Sequence, residues 1–162
     1  MNGKKILIVL DYDPSALKVA ETGFSLAKSM QAEIYLLHVI FEPVYYYSGD
    51  YSPEKEFPVF MMMKPFQIEG KECIKKASQL FLDKIKKHLG DEKIQTLIAE
   101  GDIAKIILDS AKRLLIDIII IGSHSHSWLE NIVLGSVSEK VLNHTSIPLF
   151  IIPTKKQKHL VR

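Results

Sequence analysis

The chain has 162 residues, 47% of them hydrophobic and 25% charged, with a formal net charge of +2. That supplies apolar material for one buried core, and the small charge, without a basic stripe interleaved with aromatics, argues against a nucleic-acid partner. The single cysteine, Cys73, excludes an internal disulfide framework and fits a reducing compartment. The apolar stretch after Lys5 stops at Asp11, too short for a signal peptide or a membrane span. A cytoplasmic protein without membrane insertion is the expectation.

Ile6 to Leu10 is apolar without polar alternation, the pattern of a parallel strand covered on both faces, and predicts a strand over 5–10. Asp13-Pro14 follows as a helix start with proline in the first helical position, and Ala16, Ala20, Phe24 and Ala27 repeat as a buried stripe. A second strand is predicted over 33–39. Residues 41–66 form a long irregular insertion with Tyr45-Tyr46-Tyr47 and Met61-Met62-Met63, in which Pro43, Pro53, Pro58 and Pro65 forbid a long helix. It begins at the carboxyl end of that strand. A lid, a partner surface and an arm packed on its own subunit are all open readings.

Cys73, Ala77, Leu80, Phe81 and Ile85 mark the next helix, which ends near Gly90, with Cys73 as inert core. Strands follow over 94–99, 117–121 and 148–152, separated by helices from Asp102 to about Leu114 and from Val137 to His144. The basic stretch 155–162 reads as a solvated tail. Strand and helix alternate, so the fold class is α/β, a doubly wound five-stranded parallel sheet with helices on both faces.

The most informative stretch follows the isoleucine run 118–121. It reads Gly122-Ser123-His124-Ser125, then nine residues, then Gly135-Ser136 at the start of the last long helix. A buried strand, a small-residue loop and a helix N-terminus present backbone N–H groups to an anion, most plausibly a nucleotide phosphate. The plainer reading is that the glycines turn the chain and Ser136 caps the helix. His124 and His126 alone are an incomplete zinc set, and Trp128, Leu129, Ile132 and Val133 suit packing of the loop. No Ser-His-Asp order, carboxylate pair or phosphate-loop lysine stands out, so no enzyme activity is expected.

Taken together, Ile6 to Asp11, Leu36-Leu37-His38-Val39, Glu100-Gly101-Asp102, the 122–136 spacing and Ser146 to Ile152 resemble the universal stress protein family. The likeness spans residues 1–154 apart from the 41–66 insertion. It implies strand order 3-2-1-4-5, which places a ligand crevice where that order reverses, between the first and fourth strands. It also implies that Asp11 meets the adenine or ribose end of a nucleotide. Val39 would line the adenine pocket, though plain core remains open for it. Ile121, Gly122, His124, Ser125, Gly135, Ser136, Val137 and Ser138 would form the nucleotide loop. ATP or AMP is the implied ligand, with Mg²⁺ only alongside ATP.

Two departures from the family pattern bear on this. Ser125 stands where the second signature glycine belongs, and no Lys or Arg lies between Gly122 and Ser136 while Glu130 adds negative charge. Both favour a monophosphate, or no nucleotide, over a triphosphate. The resemblance implies a stress-response regulator without dedicated catalysis, acting through unidentified protein partners. The alternative is a nucleotide-independent interaction module. A homodimer through the last strand is also implied, with Leu149, Phe150 and Ile151 at an open sheet edge bracketed by Pro148 and Pro153.

Overall fold

The computed structural model describes residues 3–40, 71–123 and 135–154. In chain order these hold β1 (Lys5–Val9), α1 (Ala16–Ser29), β2 (Glu33–Ile40), α2 (Lys71–Leu89), β3 (Gln95–Glu100), α3 (Ile103–Arg113), β4 (Ile118–Gly122), α4 (Ser136–His144) and β5 (Leu149–Ile152). The strands form one five-stranded sheet in the order β3-β2-β1-β4-β5, parallel at every pairing. The fold class and strand order expected above are thus observed, and every strand boundary falls within one residue of its predicted position.

Each strand is covered on both faces because its side chains alternate between two cores. Ile6 and Ile8 of β1, Leu36 of β2 and Ile120 of β4 point to the layer closed by Ala20 of α1 and Phe81 and Leu82 of α2. Leu7, Leu37, Ile119 and Ile121 point the opposite way, against Ile107 and Ala111 of α3 and Val141 of α4. Small residues let α1 lie close to the sheet. A Cβ added at Gly23 would stand 2.9 Å from Ile8 Cδ1, so any larger residue at that crossing would have to push the Ile8 side chain aside. Gly90, with φ +72, turns the chain out of α2 while its N–H still bonds the Lys86 carbonyl at 3.0 Å.

Two helix starts differ from expectation. Pro14 lies in a turn ahead of α1 and not at its first helical position. Asp13 organises that turn, its carboxylate accepting from Ser15 N–H at 2.8 Å and from the Ser15 hydroxyl, so the helix begins only at Ala16. At α4 the cap is Gly135, whose carbonyl accepts from Glu139 N–H at 2.9 Å, and Ser136 is the first helical residue. The insertion at 41–66 and the tail at 155–162 lie outside the described residues.

Candidate functional site

The strand order sends the chain from β1 outward to β3 and from β4 outward to β5, so the segments leaving β1 and β4 part company at the centre of the sheet. A crevice opens there, beyond the carboxyl ends of the strands, as such topologies require. The space it encloses is small, about 60 Å³, and it opens to solvent at its mouth. Asp11, Val39, Ile121, Gly122, Val137 and Ser138 all line it, so residues from four separate stretches of sequence meet. Of the other predicted residues, Gly135 and Ser136 stand at the start of α4. His124 and Ser125 lie outside the described residues.

Asp11 follows the end of β1, and its carboxylate accepts from Asp13 N–H at 3.1 Å. It therefore shapes the turn and faces the crevice at once. Among the described residues it is the one charged group on the crevice wall. The remaining walls are mostly aliphatic. Ile103 and Ile107 of α3 complete them, two residues that the sequence reading did not single out.

Gly122 is explained by close packing. A Cβ there would stand 3.0 Å from Thr154 Cγ2 and 3.1 Å from Val19 Cγ2. Its carbonyl accepts from the Ser138 hydroxyl at 2.9 Å, so Ser138 ties α4 to the end of β4. Ser123 is held from three sides. Its N–H donates to the Ile152 carbonyl at 2.9 Å, its Oγ accepts from Thr154 N–H at 3.0 Å, and its carbonyl accepts from Gly135 N–H at 2.7 Å. The two ends of the 124–134 segment are thereby joined directly to each other. Lys18 Nζ reaches across from α1 to the Pro153 carbonyl at 2.8 Å, fastening the same corner from above.

Gly135 enters α4 with extended backbone, φ −65 and ψ 155, and among the described residues no side chain caps the helix. The first N–H groups of a helix have no partner within it, and they carry the positive end of its dipole. Here Ser136 and Val137 supply those groups beside the crevice, and Ser136 is exposed. An anion at this corner would be met by these N–H donors, with Asp11 elsewhere on the same crevice wall.

A second polar group sits just behind the crevice. His38 is 1% exposed, with its ring 4.4 Å from that of Tyr12 and 5.6 Å from that of Phe81. Its Nδ1 lies 2.8 Å from the Leu10 carbonyl, which can only accept, so Nδ1 carries the hydrogen. Nε2 is buried without a hydrogen-bond partner. Burial pushes the imidazole pKa down to about 4, against the opposing effect of the Leu10 bond, so the ring is neutral at physiological pH. Nearby, the Tyr12 hydroxyl pairs with the Ser78 hydroxyl at 2.8 Å. Sequence reading passed over His38 because one histidine inside an apolar strand carries no periodic signal.

Among the described residues no three His, Cys, Asp or Glu side chains gather as a metal site, and no helix is long and apolar enough to cross a membrane.

Comparison with known proteins agrees with this architecture. The model of the universal stress protein family matches residues 3–153. The universal stress protein MJ0531 of Methanocaldococcus jannaschii is 30% identical over 158 residues, covering 96% of this chain and 85% of that protein. The universal stress protein YxiE of Bacillus subtilis is 31% identical over 154 residues, covering 91% and 97%. Among solved structures, that of the hypothetical protein MJ0577 superposes with a TM-score of 0.72 at 28% identity, covering 94% of this chain and 97% of that one. A universal stress protein crystallised in complex with cAMP shares the fold, with a TM-score of 0.60 at 15% identity over 96% of this chain and 100% of that one.

Proposed function

The chain belongs to the universal stress protein family, and we propose that it is a nucleotide-responsive regulator that binds an adenine nucleotide in the crevice between β1 and β4. The observation that carries this reading is convergence: Asp11, Val39, Gly122 and Ser138, distant in sequence, line one crevice at the point where strand order reverses. A purine lies against the aliphatic wall of Val39, Ile103 and Ile107. Asp11 accepts from the ribose hydroxyls. The phosphate end meets the N–H groups of Ser136 and Val137 at the positive end of α4. The cAMP complex of a protein with the same fold supports the ligand class.

AMP fits better than ATP, because the described walls offer no cation to offset three phosphates and Asp11 is already negative. If ATP does bind, Mg²⁺ accompanies it. Among the described residues the crevice assembles no nucleophile with a base, and the output in this reading is a changed surface presented to protein partners in the stress response. The test begins with protein purified without added ligand, denatured by heat and analysed by mass spectrometry for released nucleotide, then titrated with AMP, ATP and cAMP by calorimetry. Binding of AMP with Kd below about 100 μM, weakened at least tenfold in Asp11→Asn, is the expected result. No released nucleotide and no heat with any of the three defeats the reading.

One feature favours a second reading, in which the protein is purely an interaction module: Ser125 replaces the signature glycine. Nucleotide binding that appears in Ser125→Gly and not in the natural chain identifies that case.

A further inference from the structure

Among the described residues β3 is the edge of the sheet opposite β5. It is half-exposed along its length, whereas β1 and β2 are largely buried. Gly101 N–H, just past β3, donates to the Ile40 carbonyl of β2 at 3.1 Å. Alternate residues of a strand turn their backbone groups to opposite sides, so Gln95, Leu97 and Ala99 face β2. Thr96, Ile98 and Glu100 therefore direct their N–H and C=O groups to the outer edge. The pairing with β2 holds one register without a bulge, and residues 95–99 contain no proline and no charge. The usual devices that blunt a sheet edge are missing from that run.

An open groove of about 390 Å³ lies along this edge. Ile40 and Ile98 give it an apolar lining, Lys75, Lys76 and Gln79 of α2 its polar side, and Glu100 its one acidic group among the described residues. Gln79 Nε2 donates to Thr96 Oγ1 at 3.1 Å and to Asp83 Oδ1 at 2.7 Å, bracing α2 against the strand at the Thr96 end. Lys75 and Lys76 are exposed, and among the described residues neither enters a hydrogen bond or ion pair. Lys86, farther along the same helix, reaches Glu92 at 3.9 Å.

We propose that this edge docks an extended acidic segment of another protein, which adds to β3 as a sixth strand with alternate carboxylates turned toward Lys75 and Lys76. Main-chain bonds to Thr96, Ile98 and Glu100 supply affinity that does not depend on the partner's sequence. Side chains of the added strand alternate between its two faces, so every second one enters the groove between β3 and α2. Two ammonium groups on that side select carboxylates there. Glu100 repels them, and so favours an uncharged or basic residue at its own end of the strand. The proposal rests on the reading above only in supplying the surface through which a partner is engaged, and it uses none of the crevice residues.

The experiment uses the full chain without nucleotide and three short capped peptides. One alternates glutamate and valine, one alternates lysine and valine, and the third is the glutamate peptide N-methylated throughout, which removes its main-chain donors. Calorimetry reads affinity, and amide exchange by NMR reads the edge. The glutamate peptide binds with Kd below about 500 μM and slows exchange of the Thr96, Ile98 and Glu100 amides at least about tenfold. The lysine peptide binds at least about tenfold more weakly, and the N-methylated peptide does not bind. Lys75→Gln combined with Lys76→Gln lowers affinity for the glutamate peptide at least about tenfold and leaves AMP calorimetry unchanged. No binding of the glutamate peptide, equal affinity for the lysine peptide, or binding of the N-methylated form overturns the proposal. Edge amides already protected in the free chain also overturn it. Protection that grows with protein concentration then identifies a second copy as the occupant, and protection that does not identifies residues 41–70 of the same chain. If AMP fails to bind while the glutamate peptide docks, the nucleotide reading falls and the docking edge stands.

Discussion

Acidification should weaken this fold chiefly through His38, by an amount that the structure allows to be worked out. The folded imidazole has a pKa of about 4, whereas an unfolded chain takes up its proton near the ordinary histidine value of 6.5. Between those values the unfolded state binds more protons, so stability is lost as the pH drops across that interval. It is fully present above about pH 6.5, declines toward pH 4 and levels off below, once both states are charged. At about 1.4 kcal/mol per pH unit the loss amounts to about 3 kcal/mol, a large share of the roughly 5–15 kcal/mol typical of such domains. Urea unfolding from about pH 7 to about pH 4.5, on the natural protein and on His38→Asn, isolates the effect because asparagine does not titrate. Asp91 and Asp117, held below the usual carboxylate range first by the Lys93 and Lys5 amides, lose their contribution only at lower pH and do so in both proteins. Parallel stability curves for the two, or a His38 ring that titrates near 6.5 in the folded protein by NMR, would refute the reasoning.

Three further outcomes follow from packing and from the site. Gly23→Ala forces a methyl within 2.9 Å of Ile8 Cδ1 and should cost about 1–3 kcal/mol in thermal or urea unfolding, although alanine is the better helix former. Ser138→Ala leaves the Gly122 carbonyl without its 2.9 Å donor; a loss of about 1–2 kcal/mol in stability and weaker AMP binding by calorimetry are expected. Phe150 is 43% exposed on edge strand β5, so light scattering should show about twice the monomer mass for the natural chain and the monomer mass for Phe150→Asp, if the edge pairs two copies about a two-fold axis.

The scaffold was legible because its strands are dense isoleucine, leucine and valine runs bounded by charge, as in Lys5-Ile6-Leu7-Ile8-Val9 and Asp117-Ile118. Such short, β-branched runs suit strands covered on both faces, and their alternation with helical stripes leaves little freedom of architecture. Much of the candidate site was legible too, for a different reason: Asp11 and Gly122 end the two strands that flank the reversal, so topology alone brings them together. Helix starts were less legible. At α1 the competition between Asp13 capping a turn and Asp13 capping a helix is settled by Ser15, which offers both its N–H and its hydroxyl to the same carboxylate. His38, Ile103 and Ile107 were missed as site residues because their signals are identical to those of core. What distinguishes His38 is a backbone carbonyl from another strand, and no spacing rule along the chain encodes that.

The corner made by Ser123, Thr154 and Lys18 has a practical reach beyond the crevice. Thr154 stands past the last strand, yet its N–H and its methyl are part of what seats Gly122 and Ser123. A fusion partner joined directly after Ile152 would keep all five strands and still remove that seat, along with the Pro153 carbonyl that Lys18 grips. Joined after Thr154, the same partner leaves the corner whole. Two fusions with one sheet and different junctions would thus separate the stability of the scaffold from the integrity of the loop it carries.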